Sequence, residues 1–184
     1  ETKLHSIDTE RSFVVAEALR RGVTMEHIHE ITKIDVWFLK KVQNIVRMEQ
    51  KIRALGSIAA LDADTMMAAK KMGMADSAIA RFVGCKTADI RMLRARQNVQ
   101  PAFRMVDTCG GEFEAVSPYF YSTYGTATEA KNSGRKTVVV LGSGPIRIGQ
   151  GIEFDYCSVH CVWALKRAGF DTVIINNNPE TVST

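Results

Sequence analysis

The sequence predicts a mainly α-helical domain, then an irregular connector and an incomplete α/β unit, over 184 residues. Three observations predict this order. Helix caps and helix-stopping glycines recur through the first hundred residues. Composition shifts at Pro101 to clustered aromatic residues without helix signals. Two β-branched runs near the end flank one helical segment, which is typical of a βαβ unit. We expect domain boundaries at 1–100, 101–135 and 136–184.

Start and stop signals predict each element of the helical domain. Thr24 and Asp35 are placed to cap helices, and the helix after Asp35 is the longest, ending before Gly56. Apolar residues recur along it at helical spacing, which predicts an amphipathic helix. These residues are Phe38, Val42, Ile45, Ile52 and Leu55. Shorter helices are predicted at Asp64–Gly73, Asp76–Gly84 and Thr87 to about Asn98.

The connector is predicted to be irregular or briefly extended and to pack through its aromatic side chains. These are Phe103, Phe113, Tyr119, Phe120, Tyr121 and Tyr124. The small, polar stretch Gly125–Arg135 is typical of an exposed linker. A strand over Thr137–Leu141, a glycine loop, a helix from about Ile152 to Ala168 and a strand over Thr172–Asn176 follow. Two parallel strands with one helix leave a sheet face uncovered, so we expect further strands in a longer protein, or cover by self-association.

The loop LGSGPIRIGQGIEFDY resembles a nucleotide-binding turn only in part. Gly142 and Gly144 match the first two glycines of the dinucleotide fingerprint, but Arg147 stands at the third. Glu153 and Asp155 fall in the first turn of the next helix, where carboxylates occupy the positive end of the dipole and repel a pyrophosphate. We therefore interpret the loop as a tight strand-to-helix turn that delivers Glu153 to the strand ends. The glycines that shape it are Gly142, Gly144, Gly149 and Gly151.

Two glutamates are expected at one opening of the sheet. Glu153 follows the first strand and Glu180 follows the second, and open α/β sheets bind ligands at the carboxyl ends of parallel strands. The alternative for either residue alone is an ordinary solvated carboxylate. Arg147 either pairs with one of these acids or is a surface arginine, and the sequence favours neither.

The run GSGPIRIGQGIEFDYCSVH, followed by INNNPETVST, resembles the opening of the second synthetase half in the large chain of carbamoyl-phosphate synthetase. Upstream, IDVWFLKKVQNIVRMEQKI, FRMVDTCGGEF and YFYSTYG are similar to the helical oligomerisation domain and the connector of that family. The resemblance covers essentially the whole chain. It implies an internal piece of a longer protein, whose last unit begins a Rossmann-like, pre-ATP-grasp subdomain.

The resemblance also implies a function for the parent protein. Its family members are ATP-dependent, glutamine-hydrolysing ligases that make carbamoyl phosphate for pyrimidine and arginine synthesis. They use ATP, Mg²⁺ or Mn²⁺, and K⁺, and they pair with a small glutaminase chain. Because the family's ATP-grasp module lies beyond Thr184, we expect no cofactor, no catalytic residue and no activity in this chain alone. The helical domain is expected to self-associate, at least as a dimer, because its long helix exposes Trp37 and Phe38 beside Leu39, which is more apolar surface than one internal face needs.

The family passes carbamate through an interior tunnel, and the resemblance maps two tunnel glutamates onto Glu153 and Glu180. Carboxylates there repel anionic carbamate but accept hydrogen bonds from neutral carbamic acid. We therefore expect the two glutamates to favour transit of the neutral form.

A different class of function, a helix-turn-helix DNA-binding module over Asp76–Gln97, is the alternative. Ala80, Gly84 and Ile90 have the spacing of a helix-turn-helix. The second helix carries four cations that suit a DNA groove, namely Lys86, Arg91, Arg94 and Arg96. The same spacing also packs any two short perpendicular helices, and acidic residues dilute the basic face. We expect no nucleic-acid partner; duplex binding with a steep salt dependence would restore this alternative.

Composition restricts the remaining classes of protein. No run approaches the roughly 20 apolar residues of a membrane span, so no membrane partner is expected. The four cysteines lack the spacing of a disulfide framework, which favours a reducing cytoplasm. Cys157, His160 and Cys161 have the spacing of a partial zinc site, although small buried cysteines packing on a sheet are commoner, and we expect no metal.

Overall fold

The computed structural model describes residues 2–125, 127–131, 133–142 and 153–176, with side chains from residue 155 onward in the last range. It confirms the predicted fold class, a helical domain followed by a connector and a βαβ unit. The helices are α1 (Arg11–Arg20), α2 (Met25–Thr32), α3 (Val36–Ala54), α4 (Ala63–Lys71), α5 (Asp76–Val83), α6 (Thr87–Arg96) and α7 (Glu153–Arg167). The strands are β1 (Ala102–Met105), β2 (Phe120–Thr123), β3 (Thr137–Leu141) and β4 (Asp171–Ile175). Short 3₁₀ turns cover Thr2–His5 and Ile58–Ala60.

The chain divides into two compact units. The helical unit comprises Glu1–Ala102 and Thr123–Thr126, and contains α1 to α6. The second unit comprises Phe103–Ser122 and Ala127–Thr184, and contains β3, α7 and β4.

Side-chain caps begin three helices of the helical unit. The hydroxyl of Thr24 accepts a hydrogen bond from the His27 amide at 3.3 Å, and a carboxylate oxygen of Asp35 accepts one from the Trp37 amide at 2.7 Å. Both caps are as predicted. Asp62 caps α4 by the same means. Each cap satisfies a backbone donor that the first helical turn leaves unpaired, which fixes where the helix begins.

Helix α3 belongs to both hydrophobic cores of the helical unit. It contributes Leu39 and Val46 to the core formed with α1 and α2, and Ile52 to the core formed with α4, α5 and α6. Of the apolar residues that recur at helical spacing along α3, Ile52 is buried and Ile45 is exposed, while Trp37 and Phe38 are exposed as expected. Helix α3 is apolar on two sides, so spacing alone could not identify the side that faces the core.

The connector differs from the expectation of aromatic packing. Tyr124 packs against the second core of the helical unit, but the other aromatic residues of the connector are exposed. The pairing of β1 with β2 makes only a two-stranded sheet of short strands, which offers little surface to bury them. The described linker residues after Gly125 are exposed as expected, yet they are hydrogen-bonded: the Glu129 amide donates to the Phe103 carbonyl at 2.8 Å, and Arg135 pairs with Asp171.

Strands β3 and β4 pair in parallel, from Thr137 opposite Asp171 to Leu141 opposite Ile175. Helix α7 connects them in sequence and contacts both. Apolar side chains at alternate positions of the two strands stay exposed in the described part of the chain. They are Val139, Leu141, Val173 and Ile175, with exposed fractions of 49–76%. One sheet face is therefore uncovered, as the sequence predicts for a βαβ unit without further layers.

Candidate functional site at the strand ends

The carboxyl ends of β3 and β4 and the first turn of α7 meet at one edge of the sheet. The amide of Gly142, just after β3, donates to the carbonyl of Ile175, the last residue of β4, at 2.8 Å. Helix α7 begins at Glu153, at the end of the connection that leaves this edge. In open α/β sheets this edge is where ligands bind.

Close approach explains the glycine at position 142. A Cβ atom there would lie 2.9 Å from the carbonyl oxygen of Ile175, and 3.0 and 3.1 Å from two side-chain atoms of Asn176. The φ of Gly142 lies outside the left-handed region, so the glycine is needed for space and not for an unusual backbone conformation.

Asp155 is a buried acid at this edge that the sequence analysis did not single out as a structural partner. It lies in the first turn of α7, is 2% exposed, and accepts a hydrogen bond from the side-chain amide of Asn176 at 3.2 Å. Its carboxylate stabilises the positive end of the helix dipole. The loop before this helix lies outside the described residues, so its interpretation as a turn and not a phosphate cradle stays a prediction.

The structure describes only part of the predicted site. Gly142 is described, and so is the backbone of Glu153, which begins α7 at the strand-end edge. The convergence of the two glutamates and the pairing of Arg147 therefore stay predictions. The predicted site residues outside the described residues are Gly144, Arg147, Gly149, Gly151 and Glu180.

The Cys157, His160 and Cys161 set lies on the outer face of α7. Both cysteines are free and exposed, which corrects the expectation that they pack on the sheet. Cys157 is about 200° around the helix from the inward-facing Asp155, which explains its exposure. The His160 ring contacts Tyr156 edge to face at 4.5 Å and Trp163 at 5.3 Å between centroids. Within the described residues, no three His, Cys, Asp or Glu side chains are grouped to hold a metal ion.

The helix-turn-helix spacing is accounted for by core packing between α5 and α6. Ala80 and Ile90 are 2% and 0% exposed, and Gly84 takes a left-handed φ of 74° that ends α5. Arg94, predicted to face a DNA groove, instead pairs with Asp76 at 2.9 Å and donates to the Val99 carbonyl at 3.1 Å. The predicted groove-facing set is therefore wrong for Arg94.

Asp76 lies at the centre of a largely buried ion cluster. Lys70 contacts its other carboxylate oxygen at 2.8 Å, and the side chains of Lys70, Asp76 and Arg94 are 9%, 12% and 15% exposed. Burial raises the pKa of Asp76, but hydrogen bonds from Lys70 and Arg94 outweigh it and hold the pKa below its usual value. The ring of Tyr124 lies 5.3 Å from the Lys70 ammonium, so Tyr124 packs on this cluster.

Glu49 is the buried acid of a second ion cluster, which the sequence did not predict. Its carboxylate, on α3, pairs with Arg20 of α1 and with Arg53 one turn further along α3, both at 3.0 Å. The hydrogen bond from Arg20 to Glu49 raises the pKa of Arg20, so this cation stays charged. Glu49 is 6% exposed, and the two cations offset the cost of burying its charge.

Helix α3 also carries an exposed apolar surface. We define the α3 face as Trp37, Phe38, Lys41 and Ile45. Trp37 and Phe38 are 59% and 58% exposed and contact each other edge to face at 4.9 Å. The Lys41 ammonium lies 4.8 Å from the Trp37 ring. Large exposed aromatic side chains beside an exposed isoleucine are typical of an interaction surface.

These features define a class: a helical domain with an exposed apolar surface on α3, together with a parallel βαβ unit. Comparison with family models identifies the family. Residues 1–98 match the carbamoyl-phosphate synthetase large chain, oligomerisation domain, and residues 134–184 match the carbamoyl phosphate synthase preATP-grasp domain. The chain belongs to the carbamoyl-phosphate synthetase large-chain family.

Curated relatives agree with the family models. The chain is 50% identical over 185 residues to the carbamoyl phosphate synthase large chain of Agathobacter rectalis, covering 100% of this chain and 17% of that relative. It is 52% identical over 174 residues to that of Thermoanaerobacter pseudethanolicus, covering 95% and 16%. It is 53% identical over 184 residues to that of Clostridium botulinum, covering 100% and 17%. The chain thus spans about a sixth of the length of these relatives.

Among the described residues, no helix has the length and apolar character to cross a membrane.

Proposed function

We propose that the chain is part of the large chain of a glutamine-hydrolysing carbamoyl phosphate synthase, and that its helical unit mediates self-association while its strand-end edge serves the passage of carbamate. The observation that carries this proposal is the pair of family matches, over residues 1–98 and 134–184, in the order expected from the resemblance. ATP, Mg²⁺ or Mn²⁺, K⁺ and the glutaminase chain belong to the parent protein on this proposal, and the chain alone is inactive.

The geometry of the strand-end edge supports the part of the proposal that concerns Glu153. Helix α7 begins at this residue, and the helix start already contains the buried Asp155 carboxylate. An acidic edge disfavours anionic carbamate and offers acceptors to neutral carbamic acid. Glu180 supplies the second acceptor on this proposal.

Replacing Glu153 with lysine in the full-length enzyme tests the passage role. We expect the Glu153→Lys enzyme to hydrolyse glutamine at nearly the original rate but to form less carbamoyl phosphate per ATP consumed. A cation at this edge would retain anionic carbamate instead of passing the neutral acid. The measurement is the ratio of carbamoyl phosphate formed to ATP hydrolysed.

The matched control is Asp64→Lys, the same kind of charge reversal at an exposed acid in the first turn of α4. The control is expected to keep the original ratio. An unchanged ratio in the Glu153→Lys enzyme would refute the passage role.

Sedimentation tests the proposed self-association. The chain is expected to form at least a dimer, and Trp37→Lys is expected to weaken that association by about 30-fold, since a central aromatic contact is typically worth about 2 kcal/mol. Met92→Lys is the control, because Met92 is also an exposed apolar residue but lies on α6. A monomer at high concentration of the unmodified chain would count against self-association.

A further inference from the structure

We propose that Asp155 and Asn176 are positioning residues that fix the start of α7, and with it Glu153, against the carboxyl ends of β3 and β4. Together with Gly142 they form the strand-end cluster. The inference rests on the proposed passage role of this edge. It adds residues that act through the backbone and not by touching carbamate.

The burial of Asp155 is the first argument. A carboxylate that is 2% exposed is costly unless hydrogen bonds and favourable charges compensate for it. An apolar side chain would cover the sheet without that cost. What the carboxylate adds is a directional hydrogen bond, 3.2 Å long, from the side-chain amide of Asn176 to the first turn of α7.

The crowding around Gly142 is the second argument. The Asn176 side chain approaches Gly142 so closely that a Cβ atom would lie 3.0 Å from its Cγ. On its other side, the same side chain donates to Asp155. Asn176 therefore contacts the end of β3 and the start of α7 at once, while its own backbone continues from β4. This one side chain thus sets the relative positions of the end of β3, the end of β4 and the start of α7.

The consequence concerns Glu153. It lies two residues before Asp155 in the same helix, so about 3 Å along the axis, and any shift of Asp155 moves it. Displacements of about 1 Å in positioned groups reduce rates severely. Loss of the strand-end cluster should therefore reduce the carbamoyl phosphate formed per ATP, even though Glu153 itself is unchanged.

A charge swap in the full-length enzyme tests this inference. Asn176→Asp places two carboxylates against each other, and we expect carbamoyl phosphate formed per ATP to fall about threefold or more, with glutamine hydrolysis retained. The swap Asp155→Asn with Asn176→Asp restores one donor and one acceptor, and should recover most of the lost yield. Asp64→Asn, which matches the Asp155→Asn half of the swap but at an exposed acid, should leave the yield as it was.

Hydrogen exchange of the peptide that contains Gly142 gives an independent measurement. Its amide, bonded to Ile175, should exchange faster in Asn176→Asp and return to slow exchange in the swap. If the swap shows native exchange but no recovery of yield, the positioning role is overturned. The same holds if Asn176→Asp exchanges rapidly but keeps full yield. If Asn176→Asp does not fold, the swap alone decides.

The outcomes separate this inference from the proposed function. If Glu153→Lys forms less carbamoyl phosphate per ATP while Asn176→Asp keeps the full yield, the positioning role is overturned and the passage role stands. A full yield of carbamoyl phosphate per ATP in Glu153→Lys would refute the passage role. A loss confined to Asn176→Asp would then overturn positioning too, because its effect could not act through Glu153.

Discussion

The Asp76→Ala variant is expected to lose about 3 kcal/mol of the free energy of unfolding of the helical unit at pH 7. Removing this carboxylate leaves Lys70 and Arg94, both largely buried, without their shared anion. A buried cation that has lost its partner is costly, because the folded state cannot hydrate it fully. Urea unfolding monitored by circular dichroism measures the loss.

Asp64→Ala is the control for this variant, since Asp64 also occupies the first turn of a helix but is exposed. It is expected to change stability by less than about 1 kcal/mol. Equal losses in the two variants would show that the Asp76 cluster contributes nothing beyond the helix dipole.

The same cluster predicts a dependence on pH. Because the folded-state pKa of Asp76 is lowered, its stabilisation is complete above the unfolded-state value of about 3.9 and is lost as pH falls through the lower folded-state value. The difference in stability between the original chain and Asp76→Ala should therefore shrink below about pH 4. A difference that stays constant into strong acid would contradict this assignment.

Gly142→Ala is expected to have the second large effect, a loss of about 2 kcal/mol at the end of the β3–β4 ladder. The added Cβ would lie 2.9 Å from the Ile175 carbonyl oxygen, which belongs to the backbone and cannot rotate away. The last rung of the sheet must then open. Faster hydrogen exchange in β3 and β4, measured by mass spectrometry, would report this opening.

Gly125→Ala is the matched control, because a Cβ there meets only an ordinary contact, 3.7 Å from a Thr123 methyl carbon. It should leave exchange in β3 and β4 unchanged. If Gly142→Ala behaves in the same way, the crowding at the strand-end edge is not a constraint.

Local signals in the sequence were sufficient to predict most elements. Thr24 and Asp35 cap helices as predicted, because a cap depends on a side chain and an amide only two or three residues apart. The bounds of β3 are as predicted, since Lys136 precedes the β-branched run and Gly142 follows it.

Pairs distant in sequence could not be predicted in this way. Arg94 lies 18 residues from Asp76, Glu49 lies 29 from Arg20, and Asn176 lies 21 from Asp155. No periodicity links such positions, because only the folded chain brings them together. The basic residues of α6 thus suggested a DNA surface, whereas one of them, Arg94, neutralises a buried acid.

In the candidate site, too, local order along the chain could be predicted and contacts between distant residues could not. The expected position of Glu153 at the carboxyl end of β3 rested on the order of strand, loop and helix, and Glu153 is the first residue of α7. Its role, and that of Glu180, came from the resemblance to the family. The hydrogen bond between Asp155 and Asn176 was found only in the structure. Acids are common in the first turn of helices and many are solvated, so the sequence does not mark this one as buried.

The most direct measurement of the central claim is an experimental structure of the full-length large chain that contains this sequence. We predict that the carboxylates of Glu153 and Glu180 face one shared interior passage at the carboxyl ends of β3 and β4. A structure in which either carboxylate points away from the other into bulk solvent would contradict the account.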